Sequence, residues 1–349
     1  MLAPFVEVIQ KPYRALESIR ITVEAHTEPS ILFPKSFLGC SAPRLREIKL
    51  DGIALPFPVI RQVLLSTNNL VDLYLSNIPN DAYFSPSDLV TALSALVQLK
   101  QLTVGFHSPD SCLPPSMICP PPQRTTLPSL TSLIFHASSR YLEEFVAQID
   151  LPACCEITIG PFNNIFFKIP QFSQFIPCLN AISPFTRTHV RHTANSVCVL
   201  FDQEIKKNQM SERCALRTSC RQFDLQMSFL AQITSQFSTF LTSVDSLTID
   251  GLYGLPIREE DVDPTQWLEF FRPFTHVTRV YVTVNELVLG IMQALVAEDM
   301  TAEVLPELTS LFLGGFHYLR STSPSVADAA AQFVAKRKLS GRDVTLSSM

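Results

Sequence analysis

Few side chains in this sequence have the type and spacing of a reaction centre. His189 and His192 stand three residues apart, a spacing that on a helix brings two imidazoles toward one metal ion, but no nearby Cys, Asp or Glu completes a ligand set. Glu259, Glu260, Asp261 and Asp263 gather four carboxylates without the alternating oxygens and central glycine of a calcium loop, and read as a solvated acidic loop. Cys154 and Cys155 are adjacent, yet nine scattered cysteines with no CxxC pair point to reduced thiols used as small core hydrophobes. Glycine-rich phosphate loops and the HExxH, GxSxG and EF-hand strings are absent from the sequence, so nucleotide and zincin chemistry are not expected. No catalytic residue, metal ligand or cofactor site is assigned. An unrecognised α/β hydrolase or transferase is the alternative to a binding protein, and it would need a nucleophile, base and orienting group brought within hydrogen-bond reach.

The elements around these residues carry more information. The 349 residues are 46% apolar and 17% charged, a balance that supports a large core and excludes disorder throughout. A net charge of −5 argues against nucleic acid as the main partner. Neither a signal peptide at the N-terminus nor an apolar run long enough to cross a bilayer is apparent, and the chain reads as intracellular, cytoplasmic or nuclear, with no membrane partner.

A strand formula recurs along the chain. Leu45, Ile48, Leu50 and Ile53 follow the pattern apolar-x-x-apolar-x-apolar-x-x-apolar, and Leu70, Leu73, Leu75 and Ile78 repeat it. Its first, fourth and sixth positions return as Leu16/Ile19/Ile21, Leu99/Leu102/Val104, Leu130/Leu133/Phe135, Cys154/Ile157/Ile159, Cys220/Phe223/Leu225, Val244/Leu247/Ile249, Val277/Val280/Val282 and Leu308/Leu311/Leu313, with a fainter copy at Ala194/Val197/Val199. Most intervals are 24 to 33 residues, one is 40, and this is an irregular leucine-rich-repeat spacing. Period-two alternation turns the fourth and sixth residues inward on one strand per repeat. Helical spacing fills the gaps at 59–67, 88–98, 140–149, 229–241, 266–271, 287–297 and 326–337, with Ser87 and Ser139 as expected N-caps. The fold expected is therefore α/β: one leucine-rich-repeat-like solenoid (horseshoe) over 1–349, with a concave parallel sheet and convex helices.

Departures from the regular repeat are also visible. Asparagine occupies the ninth position only at Asn285, so no asparagine ladder is expected, and residues 108–126 form a proline-rich loop inserted into one repeat. A helix over about 325–339, with Lys336, Arg337 and Lys338 in its last turn, is expected to cap the C-terminal end. Positions three, five and seven of each repeat would make the concave binding face. The candidates are Glu47, Lys49 and Asp51; Asp72 and Tyr74; Gln101; His136; Asp224; Asp250; Arg279 and Tyr281; and Phe312. Aromatic anchors among carboxylates with few cations point to a protein target carrying basic groups.

Several stretches, among them Phe37–Arg46, Leu64–Val71, Tyr83–Ser87, Pro170–Phe175, Thr265–Thr275 and Glu303–Leu308, resemble the leucine-rich-repeat halves of F-box proteins from mushroom-forming fungi. That resemblance implies a substrate receptor, in which an F-box grips the Skp-type adaptor of a cullin-based ubiquitin ligase and the repeats hold a target. The F-box pattern is not found upstream of Leu16, and the one tryptophan is Trp267. A Skp-type adaptor is thus a partner only if an F-box lies upstream, and the chain reads as the repeat region alone.

Overall fold

The computed structural model describes residues 7–23, 36–107, 124–160, 168–179, 185–202, 212–251, 263–298, 303–314 and 324–348. Contacts divide the chain into two compact units, one of Met1–Phe162 with Ile169–Ile182 and one of Asn163–Lys168 with Ser183–Met349. Both are mixed α/β, each with a mostly parallel sheet.

In the first unit, β1 (Ser18–Thr22), β2 (Glu47–Asp51), β3 (Asp72–Ile78), β4 (Gln101–Phe106), β6 (Ser132–His136) and β8 (Glu156–Ile159) pair in parallel in that order. β5 (Thr125–Thr126) and β7 (Ile149–Asp150) form a separate short parallel pair. The register aligns the fourth positions as one ladder, Ile19, Ile48, Leu73, Leu102, Leu133 and Ile157, and the sixth as another, Ile21, Leu50, Leu75, Val104, Phe135 and Ile159. From β2 onward both ladders are buried, so the repeated formula is the inward face of a parallel sheet. Parallel neighbours need a crossover, and α1 (Phe57–Ser66), α2 (Pro86–Leu93) and α3 (Ser139–Val146) lie on three of these connections, with α4 (Pro170–Phe175) following β8.

Caps set the helix starts. Ser85, not Ser87, caps α2, forming a reciprocal capping box with Asp88, and Ser138, not Ser139, caps α3 through its hydroxyl and the Tyr141 N–H. In both cases the correct cap is the serine with extended backbone just before the first helical residue. Glu143 of α3 accepts from the N–H groups of Gln171 and Phe172 at 2.7 and 2.9 Å, satisfying donors at the start of α4. An aromatic chain of Phe57, Phe84, Phe106, Tyr141, Phe135 and Phe145 runs through the core at centroid spacings of 4.7 to 5.6 Å.

The second unit begins with an antiparallel meander of β9 (Arg187–Thr193), β10 (Ser196–Asp202) and β11 (Glu212–Ser219). β12 (Ser246–Gly251) pairs in parallel with β9 on its other side, and β13 (Arg279–Val282), β14 (Ser310–Leu313) and β15 (Thr345–Ser348) continue in parallel. The helices are α5 (Phe223–Gln236), α6 (Ser238–Leu241), α7 (Pro264–Phe271), α8 (Asn285–Ala297) and α9 (Pro324–Leu339). Trp267, Phe270, Phe271, Phe274, Phe237 and Phe201 are fully buried and form its core.

Two copies of the strand formula fail here. In the fainter copy Val197 and Val199 are buried on β10 as the formula expects, but Ala194 lies in the tight Ala194–Asn195 turn through which β10 turns back on β9, too short for a parallel crossover. Cys220/Phe223/Leu225 opens α5 instead of a strand, because burial of Met227, Leu230, Ile233 and Phe237 at helical spacing overrides two apolar residues that happen to alternate. The proline-rich insertion is revised at its end, where Thr125–Thr126 is β5, while 108–123 lies outside the described residues. The C-terminal helix is found at Pro324–Leu339, but β15 follows it and forms the next strand of the sheet. Among the described residues, no helix is long and apolar enough to cross a membrane.

Candidate functional site

Alternation gives each sheet a second face. In the first unit, Glu47, Lys49 and Asp51 come from β2, Asp72 and Tyr74 from β3, Gln101 from β4 and His136 from β6. In cross-strand register, Glu47, Asp72 and Gln101 form one row and Lys49 and Tyr74 another. Lys49 Nζ lies 2.9 Å from Asp72 and 3.0 Å from Glu47, and Arg20 reaches Glu47 at 3.3 Å. Hydrogen bonds to Asp72 and then Glu47 raise the Lys49 pKa, and the Lys49 ammonium holds the Glu47 carboxyl below its usual range. Asp51 accepts from Asn77 at 2.6 Å. His136 sits opposite Gly105, and a Cβ placed on Gly160 would be 2.3 Å from the His136 Nδ1, so any side chain there would have to displace the imidazole.

In the second unit the equivalent face is built from three rows running across the strands. The central row is Ala215, Leu200, His189, Thr248, Tyr281 and Phe312, from β11 through β14. On one side lies a row of Arg217, Cys198, Arg191 and Asp250, and on the other a row of Glu212, Asp202, Arg187, Ser246, Arg279 and Ser310, with Arg213 at the β11 bulge. A groove of about 290 Å³ opens here, lined by Arg187, His189, Arg191, Asp202, Leu200, Arg279 and Tyr281 with neighbouring hydroxyls. Tyr281 and Phe312 stack at 4.5 Å with ring planes 6° apart.

Asp250 is the fixed acid of this face. Its Oδ1 accepts from the Thr283 hydroxyl at 2.8 Å and its own neighbour Gly251 N–H at 2.7 Å, while Oδ2 lies 3.3 Å from His189 Nε2 and 3.5 Å from Arg191 Nε. Burial works to raise its pKa, but the two hydrogen bonds and the His189 and Arg191 charges together hold it below the ordinary value. Arg279 is paired with Asp245 at 3.0 Å.

Three expectations change. Asp224 lies in the first turn of α5, exposed, and belongs to no strand face. The second unit's face is rich in arginine instead of acidic, because Arg187, Arg191, Arg213 and Arg217 all enter through the meander that the repeat formula did not describe. His189 and His192 lie on β9, where a three-residue offset sends them to opposite faces, so they cannot share a metal ion. His189 faces the groove and His192 is fully buried. Of the acidic run, Asp263 caps α7 through the Thr265 N–H at 2.8 Å, and residues 259–262 lie outside the described region. Cys154 is buried, its thiol pushed up to about 12 by burial, and Cys155 is exposed, both as free thiols. The groove residues of β9 carried a signal in the sequence, alternate cations at 187, 189 and 191, which reads as a strand once the pairing is known.

No family model and no curated protein matches the sequence. Among solved structures the chain is similar to the leucine-rich repeat-containing protein LegL7 from Legionella pneumophila, with 15% identity, 95% of this chain and 94% of that chain covered, and a TM-score of 0.38.

Proposed function

We propose that the chain is a non-enzymatic, intracellular protein-interaction module of the leucine-rich-repeat solenoid kind, resembling the substrate-recognition half of an F-box ubiquitin-ligase receptor, and that its open sheet faces hold protein targets. The observation that carries this reading is the half-exposed Tyr281–Phe312 stack in register with Thr248 and beside Arg279. Tyr and Arg are the side chains most enriched where protein partners bind tightly, since they offer large area with few rotors and several donors.

The test compares capture by the intact chain with capture by variants of each face. Tyr281→Ala with Phe312→Ala and charge reversal at Asp72 and Asp250 are expected to deplete specific proteins from those retained by the wild type. Retention of the same proteins by every variant would remove the reading. Binding to a purified Skp-type adaptor is a separate measurement: association supports the ligase part of the proposal, and its absence leaves a stand-alone binder.

A further inference from the structure

We infer that the second unit's sheet face takes an extended acidic segment of a partner protein, laid across the strands along the central row with its carboxylates reaching the arginines on either side. This rests on the reading of that face as a protein-binding surface and names the partner's chemistry.

The geometry is that of a trough. The partly exposed Tyr281 and Phe312 make an aromatic central row that runs on to the buried Leu200 and Ala215, and the arginine-bearing rows lie two residues along each strand to either side, about 7 Å away. A chain laid along the trough alternates its side chains left and right, so acidic residues at every second position meet one flank and the rest meet the other or the centre. Five arginines, Arg187, Arg191, Arg213, Arg217 and Arg279, and His189 stand against Asp202, its β11 register partner Glu212, Asp250 and the rim residue Asp245. This excess lies in a chain whose net charge is −5, so the positive charge is local to the face.

The acids present do not cancel the site. Asp250 is held by Thr283, Gly251, His189 and Arg191, and fixes the imidazole and guanidinium beside the groove. Arg191 keeps 44% of its side chain exposed and Arg279 37%, enough to offer further N–H donors to an incoming carboxylate. Arginine suits this role because its planar fork binds carboxylate through two parallel hydrogen bonds. The first unit's face has the opposite character, with Glu47, Asp51, Asp72 and Glu156 against Lys49 and Arg20.

The experiment titrates the intact chain against three labelled peptides of equal length, alternating Glu and Tyr, Gln and Tyr, or Lys and Tyr, and follows fluorescence anisotropy at low and physiological salt. The Glu–Tyr peptide is expected to bind tightest, to weaken as salt rises, and to lose about tenfold in affinity with either Arg187→Gln or Arg191→Gln. Arg187→Lys and Arg191→Lys, which keep the charge, should lose less, and Arg61→Glu on the exposed side of α1 in the first unit should leave binding unchanged. Circular dichroism on each variant identifies any that fails to fold, and the salt dependence of the wild type tests the inference without a variant. Preference for the Gln–Tyr or Lys–Tyr peptide, abolished by Thr248→Trp in the trough, overturns the acidic partner but keeps the binding face. Binding of all three that is indifferent to Thr248→Trp overturns both. A labelled oligonucleotide held more tightly than the Glu–Tyr peptide and lost in the same arginine variants also overturns the inference.

Discussion

His192 has no exposed surface and packs between Phe223 and Trp267, at centroid distances of 5.3 and 6.4 Å, with Nδ1 3.0 Å from Gln226 Oε1. Gln226 is itself fixed by the carbonyls of Thr193 and Cys220. Burial outweighs this hydrogen bond and lowers the His192 pKa from 6.5 to about 4. A depressed histidine binds its proton more readily when unfolded, so its contribution is complete above the unfolded pKa and falls away as pH drops from 6.5 toward 4. Between pH 7.5 and 5 the folded state should lose about 2 kcal/mol from this residue alone. Urea unfolding at the two pH values measures it: His192→Phe, which cannot titrate, should flatten the difference by that amount, and an unchanged pH dependence in that variant would contradict the buried neutral imidazole. A second single residue with a structural reason is Gly39, in a turn where Leu38, Gly39 and Cys40 all have φ between 53° and 57°, and where a Cβ would come within 2.8 Å of the Pro12 nitrogen.

At the scale of elements, the last turn of α9 behaves differently from a simple cap. Lys336, Arg337 and Lys338 were expected to meet the helix dipole, yet Arg337 is only 2% exposed. Its guanidinium pairs with Glu298 at 3.3 Å and with Glu303, and donates to the carbonyls of Val304 at 2.7 Å and Leu305 at 3.4 Å. Glu298 closes the end of α8, so this one side chain ties the two helices and the turn leading to β14. Arg337→Met removes the cation, leaves Glu298 held only by the Val304 N–H and two carbonyls without their donor, and should cost about 3–5 kcal/mol. Adding Glu298→Leu should recover part of that loss, since an apolar pair tolerates burial better than one orphaned charge. Urea midpoints of the single and double variants decide it, with Glu298→Gln as the second double variant because it keeps an acceptor for the Val304 N–H: a double variant with Glu298→Gln less stable than Arg337→Met alone would show that the orphaned charge is not the source of the cost.

At the scale of the whole molecule, what could be read in advance follows from what alternation encodes. Period two fixes which residues of a strand face inward, so the ladders from Ile48 to Ile157 and from Leu50 to Ile159 were legible. It does not encode strand direction, so β10 satisfied the formula while running antiparallel, and the arginine rows that depend on its pairing were invisible. Asp224 was misplaced because helical and strand spacings overlap over a few residues, and only the longer run through Phe237 separates them. The adjacent pair Cys154 and Cys155 gives a measurement of both the legible and the missed parts. Just before β8, Cys154 is buried with its thiol protonated, and Cys155 is exposed; in the second unit, Cys198 and Cys214 of the meander are both buried. Because the thiolate is the reacting form and must be reached by reagent, a short iodoacetamide pulse on the native chain should label Cys155 and the exposed Cys178 and spare Cys154, Cys198 and Cys214. In urea above the transition all should react alike. Fragment mass spectra resolve the neighbours, and equal native labelling of Cys154 and Cys155 would break the alternation on which the first unit rests, whereas native labelling of Cys214 alone would put the meander, and with it the arginine face, in error.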